Sequence, residues 1–189
     1  MASSKVVTMA LGNLFGRKKH ERAGYELYTA AVKAARDPYF YGRLDVPDTM
    51  DGRFDMVGLH VFLVIHRIHS ASDQGAKLAQ AVFDAMFSDM DFTLREIGVG
   101  DMTVGKKVKA MWEAFHGRSN AYAAALDAGD VPALATAIAR NVWRGREPDG
   151  NAVALAEAAI RQSKHLAAQP VEALLAGRVN FAPPVPVAA

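Results

Sequence analysis

Between residues 54 and 68, Phe54, Val57, Val61, Ile65 and Ile68 recur at three- and four-residue spacing. That is the apolar stripe of an amphipathic helix. Leu59, Phe62 and Leu63 put further apolar side chains on its other faces. A helix over about 52–71 is therefore expected to be central and enclosed on most sides. Such an element needs other helices to cover it.

The rest of the chain supplies them. Tyr25, Tyr28, Ala31, Val32 and Ala35 predict a helix over about 21–36, ended by Pro38 because the residue before proline is pushed out of the α region. Residues 37–51 read as a connecting loop, with Asp48, Thr49 and Asp51 offering oxygens to the free amides of the next helix. A third helix over about 73–90 presents Leu78, Val82, Ala85 and Met86, with Phe83 and Phe87 beside them. The glycines of Leu94-Arg95-Glu96-Ile97-Gly98-Val99-Gly100-Asp101 interrupt the periodicity. Val104, Val108, Met111, Trp112 and Phe115 then predict a helix over about 103–116, with Gly117 as its C-cap. Further helices fit 118–127, 131–143 and 151–168, and a short one runs from Pro170 to Gly177. The tail Pro183-Pro184-Val185-Pro186 reads as extended polyproline that does not pack. No stretch carries β alternation bounded by hairpin turns. The expected fold is all-α, one compact bundle of about seven to eight helices over 23–177. A basic, partly apolar segment, 1–22, precedes it and a Pro-rich tail, 178–189, follows.

Composition narrows the function classes. The 189 residues are 51% hydrophobic and 22% charged, with a net charge of +2. That is too apolar for a disordered chain and too charged for a polytopic membrane protein. The absence of cysteine excludes disulfides, thiolate metal sites and a cysteine nucleophile. Near-even charge argues against general or sequence-specific nucleic-acid affinity. The longest apolar run, Val61 to Ile65, is far short of the roughly 20 residues that cross a bilayer. Residues 1–20 contain no acid and place Val6, Val7, Met9, Leu11, Leu14 and Phe15 ahead of Arg17, Lys18 and Lys19. This reverses the order of a secretory signal. It leaves a basic amphipathic element for anionic lipid or ribosomal RNA, or a frayed terminus with a solvated charge run.

Candidate chemistry is sparse. His60, His66 and His69 do not point one way on a helix, so no metal site is built from them. Gly98-Val99-Gly100 follows no strand and lacks the rest of a nucleotide-binding loop. Lys106, Lys107 and Lys109 read as a solvated face, and no serine sits in a nucleophile elbow. No catalytic residue, cofactor or metal is assigned. Tyr39-Phe40-Tyr41 is not explained by periodicity: either the loop folds back over the bundle or it exposes an apolar groove for a partner helix.

Several segments together resemble one family. They are Tyr25-Glu26-Leu27-Tyr28, Arg36-Asp37-Pro38-Tyr39-Phe40-Tyr41, Val46-Pro47-Asp48-Thr49-Met50-Asp51-Gly52-Arg53-Phe54-Asp55 and Leu59-His60-Val61-Phe62-Leu63. Leu94 to Asp101 and Ala114-Phe115-His116-Gly117-Arg118 follow in order. Over about 23–145 the chain resembles the ubiquinol–cytochrome c chaperones, whose mitochondrial members assist assembly of the cytochrome bc1 complex. The resemblance implies a helical, non-enzymatic assembly factor that binds newly made cytochrome b. It also implies structural motif positions at Asp48, Thr49, Asp51, Gly52, Arg53, His60, Leu94, Arg95, Gly98, Gly100, Asp101 and Arg118. Compactness suggests a bacterial-type member, cytoplasmic and peripheral at the inner face of the inner membrane; in a eukaryote the place would be the mitochondrial matrix.

An unassembled membrane helix exposes surface that aggregates, and a holder needs adaptable apolar side chains. Tyr39, Phe40, Tyr41, Phe83, Met86, Phe87, Met90, Met102, Met111 and Trp112 are the expected client groove, between the third and fourth helices and the aromatic loop. Arg17, Lys18 and Lys19 are the expected membrane or RNA contact. The competing reading is a lipid- or quinone-binding protein whose apolar surplus lines a closed pocket.

Overall fold

The computed structural model describes the backbone of residues 2–184 and the side chains of residues 18–184. Eight helices and no strand occur among the described residues: α1 (Ala2–Ala35), α2 (Pro38–Gly42), α3 (Met50–His69), α4 (Asp73–Glu96), α5 (Asp101–Ala128), α6 (Val131–Val142), α7 (Gly150–Ala167) and α8 (Val171–Leu175). The fold is all-α. Every residue from Phe54 to Val64 is buried, because α3 is packed against α1, α4, α5, α6 and α7 at once. Around it, α1 lies against α4, and α6 pairs with α7 and α5.

Short polar side chains start most of these helices. Thr49 Oγ1 accepts from the Gly52 amide at 3.1 Å, Ser72 caps α4 through Gly75, Asp130 caps α6, and Asp149 caps α7 through Asn151 and Ala152. Each satisfies amides that the first helical turn leaves without an internal partner.

Four expectations change. The Tyr39–Tyr41 stretch is not a loop: Pro38 at the first turn and the Asp37 carboxylate, accepting from Tyr39 N–H at 2.9 Å, build the one-turn helix α2. Gly117 does not end a helix. Phe115 and Arg118 are both held by tertiary contacts, so α5 runs through an exposed glycine whose cost is only about 1 kcal/mol. The helix stops at Gly129, at φ +63°, where Gly129 N–H reaches Leu126 O and Asp130 N–H reaches Ala125 O. The first helix begins before residue 21, at Ala2.

The tail is extended but not free. Gln169 and Asn180 exchange two hydrogen bonds, Oε1 accepting from Asn180 N–H at 2.9 Å and Nε2 donating to Asn180 O at 2.7 Å. Gln162 Oε1 accepts from Ala182 N–H, and Val179 and Phe181 pack on the core. Residues 178–184 are thus a strap across α7. Val185 and Pro186 lie outside the described residues.

Candidate functional site

α4 and α5 are antiparallel neighbours joined by the Gly98–Gly100 turn, and their facing sides carry an aromatic cluster. Phe83 lies 4.6 Å (ring centroids) from Phe87, 5.7 Å from Phe115 and 5.4 Å from His116; Trp112 sits 4.0 Å from His116. Phe87 and Phe115 are buried, whereas Trp112 is 43% exposed. Beside this cluster a groove of about 600 Å³ runs between α3, α4 and α5, lined by Phe62, Ile65, Phe83 and Phe115 with His66, His69 and His116 at its polar places. His66 faces the Asp127 carboxylate at 3.1 Å.

Towards the turn, large apolar side chains reach solvent. Met102 is 89% exposed, Phe92 61% and Ile97 55%, with Met90 half-buried nearby in sequence. Large apolar side chains left in solvent near one turn are candidates for a partner surface. Arg95 bridges the turn, binding both Asp91, at 2.6 Å, and Asp101. That guanidinium holds the Asp91 carboxyl below its usual range. Gly98, at φ +83°, takes the left-handed conformation the turn needs.

The expected groove residues therefore divide. Phe83 and Trp112 both meet His116 on the α4–α5 face, Met111 is half-buried against the core, and Met102 is exposed near the turn. Met86 and Phe87 are in the core, at 0% and 8% exposure, and offer no surface to a client. Tyr39, Phe40 and Tyr41 are elsewhere. Phe40 is 3% exposed against His60, and Tyr41 donates to Ala35 O at 3.0 Å, so α2 covers the α1–α3 side of the bundle. The cavity that Phe40 lines and the α3–α4–α5 groove have no lining residue in common. One continuous groove becomes two separate features. Phe92 and Ile97 belong to the exposed corner and were not expected; their signal is their position flanking a glycine turn.

The motif residues build a junction under α3. Arg53 binds Asp48 at 2.6 Å, and Arg144 reaches Asp51 at 3.4 Å and Asp55 at 3.0 Å. Arg118 on α5 pairs with Asp55, whose side chain is 1% exposed. Burial pushes the Asp55 carboxyl up to about 6 against the pull of both guanidiniums. Trp143 Nε1 donates to Asp45 O at 2.9 Å, and both Asp45 and Arg144 adopt positive φ where the two loops meet. Sequence reasoning gave Asp55, Trp143 and Arg144 no role. The available signal was a carboxylate placed between Phe54 and Met56 in an otherwise apolar run. Leu94 is buried beneath the α4–α5 turn, and His60 is buried on α3. Lys18 and Lys19 are exposed on α1, and the Arg17 side chain lies outside the described residues.

A family model described as ubiquinol-cytochrome C chaperone matches residues 42–181. The matched region leaves out α1 and all of α2 but Gly42, and runs through α7 and α8 into the strap, where the sequence reading placed it over 23–145. The Xenopus laevis protein "Ubiquinol-cytochrome-c reductase complex assembly factor 1" is 23% identical over 128 residues, 68% of this chain and 64% of that protein. The chain thus spans less than two thirds of that relative's length. The crystal structure of the Cbp3 homolog from Brucella abortus superposes with a TM-score of 0.79 at 38% identity, covering 91% of this chain and 96% of the other. With the fold, the α2–α3 junction and the α4–α5 hairpin all inside these matches, the chain belongs to the ubiquinol-cytochrome C chaperone family.

Proposed function

We propose that this chain is an assembly chaperone of the ubiquinol–cytochrome c reductase complex. It is not an enzyme in this reading. Its client is newly made cytochrome b, taken up on the α4–α5 face. The observation that carries the reading is the exposure of Phe92, Ile97 and Met102 around the α4–α5 turn, with Trp112 also 43% exposed further along α5. A membrane helix awaiting assembly has an apolar face, and a groove of aromatic and methionine side chains can accommodate several such faces. No helix among the described residues is long and apolar enough to cross a membrane. In this reading the chaperone meets its client at the inner, cytoplasmic face of the membrane, where exposed Lys18 and Lys19 suit an anionic lipid surface.

The test substitutes residues that the fold does not need. Phe92→Glu, Met102→Glu and Trp112→Glu are combined in one variant, and cytochrome b recovered with the tagged protein is measured with the level of assembled complex. Both are expected to fall about tenfold or more while helicity is kept. Undiminished recovery with a folded triple variant would place the client surface elsewhere. Phe40 and Phe87 are unsuited to this test, since charge at either buried position unfolds the bundle.

A further inference from the structure

The strap closes one side of a second cavity, independent of the client face. This cavity of about 470 Å³ lies between α1, α2, α3, α7 and the strap. Leu59, Leu63, Leu155, Phe40 and Phe181 make most of its wall. α3 turns Leu59, His60 and Leu63 towards it, and Phe62, Ile65 and His66 towards the groove.

Two polar side chains in this wall are buried with their bonding capacity incomplete. His60 is 6% exposed, and its Nδ1 lies 2.8 Å from Met56 O. A carbonyl oxygen accepts, so Nδ1 carries the proton, and the neutral ring leaves a bare lone pair on Nε2. No described residue donates to that nitrogen. Gln162, 7% exposed, faces the same cavity from α7. Its Oε1 accepts from Ala182 N–H at 3.0 Å, which fixes the amide's orientation. Its Nε2 is buried without a hydrogen-bond partner. Buried donors in native proteins are nearly always paired, so an orphan in a cavity wall marks a missing partner.

The cavity thus offers one acceptor and one donor. A hydroxyl can answer both needs, since it donates and accepts. A carboxylate or ketone has no proton for His60, and an ammonium cannot accept from Gln162. Phe40 and Phe181 pack against the His60 ring at 5.4 Å and 5.7 Å, so this part of the wall is aromatic. Lys33 and Asp37 also line the cavity, from α1 and the start of α2.

We propose that this cavity binds a small apolar molecule of the phenol type. Its hydroxyl donates to His60 Nε2 and accepts from Gln162 Nε2, and the strap covers it. The site is separate from the client face, and its test does not depend on the client.

The full chain is titrated by calorimetry with 4-pentylphenol and, separately, with the methyl ether of the same compound. The ether can still accept from Gln162 but has no proton for His60. The phenol is expected to bind at least about tenfold more tightly, with a shift of the Gln162 side-chain amide resonance. His60→Phe and Gln162→Leu should each weaken phenol binding to about the affinity of the ether. Circular dichroism checks folding; should His60→Phe not fold, the ligand pair and Gln162→Leu carry the result. Equal affinity for phenol and ether, no binding of either up to the solubility limit, or undiminished phenol binding by folded Gln162→Leu would overturn the proposal.

Discussion

Arg118 on α5 donates through Nη1 to Asp55 Oδ1 on α3, joining the central helix to the helix that carries the aromatic face. The Asp55 side chain is 1% exposed and that of Arg118 19%, so this pair lies largely out of water. A second guanidinium, Arg144, approaches the other carboxylate oxygen from the α6–α7 loop at 3.0 Å. One buried carboxylate therefore ties three segments that are far apart in sequence.

Removing one partner of a buried pair leaves an uncompensated charge, which costs more than the pair itself contributes. Arg118→Met is expected to lower unfolding free energy by about 3 kcal/mol. Arg144→Met should cost less, because Arg144 is half exposed and water screens it. In the Asp55→Asn/Arg118→Met double variant much of the loss should return. Urea denaturation of wild type, Asp55→Asn, Arg118→Met and the double variant measures this cycle; strictly additive losses would mean the two side chains are not coupled.

The same carboxylate sets a pH dependence. Its pKa is raised from 3.8 to about 6 by burial, which outweighs the Arg118 and Arg144 charges. A group that binds its proton more tightly when folded contributes stability in full below pH 3.8, and that contribution is lost as pH rises through about 6. The whole span is about 3 kcal/mol. His60 acts in the opposite sense, since burial lowers its pKa from 6.5 to about 4. Its contribution is complete above 6.5 and is lost as pH falls through about 4. The Asp55 part is therefore read as the difference between wild type and Asp55→Asn, both of which keep His60. Between pH 4 and 6.5 that difference should move against the wild type as pH rises; a constant difference would show that Asp55 titrates alike folded and unfolded.

Two glycines of the motif should behave differently. A Cβ on Gly52 would meet the Pro47 carbonyl oxygen, backbone that the α2–α3 connection holds in place. Gly52→Ala is expected to lose about 3 kcal/mol or more. Gly100 precedes α5 at φ −61° and ψ 143°, gives no side-chain cap, and has nothing within 4 Å of an added Cβ. Gly100→Ser should add the missing cap and raise stability by about 0.5 kcal/mol. Thermal unfolding of the two variants settles both signs.

Stability and client binding should separate on the α4–α5 hairpin. Met102→Ser and Phe92→Ser alter exposed side chains and should shift unfolding free energy by no more than about 0.5 kcal/mol. Met86→Ala opens a void at a position with 0% exposure and should cost about 2–4 kcal/mol. Guanidinium midpoints compare them. A large loss at Met102 would mean that the corner is packed in solution.

Periodicity alone was enough to read α3 as the central helix, because burial on every side requires apolar residues outside a single stripe. Cap chemistry is similarly local: Thr49, Asp130 and Asp149 act within three residues of themselves. The passage of α5 through Gly117 was not legible, since a glycine's local preference was overruled by Phe115 and Arg118 reaching other helices. Nor was the strap, because Gln162 and Gln169 give no hint in sequence that they bind backbone 20 and 11 residues away.

The candidate site shows the same division. Clustering of methionine and aromatic residues near the glycine turn was visible along the chain, and so was the family. Which of them face solvent was not: Met86 and Met102 are alike in type, yet one is at 0% and the other at 89% exposure. Sequence determines which side chains are apolar and how they repeat along a helix, since both are properties of neighbouring residues. Whether an apolar side chain becomes core or surface depends on what packs over it, and only the arrangement of all the helices decides that.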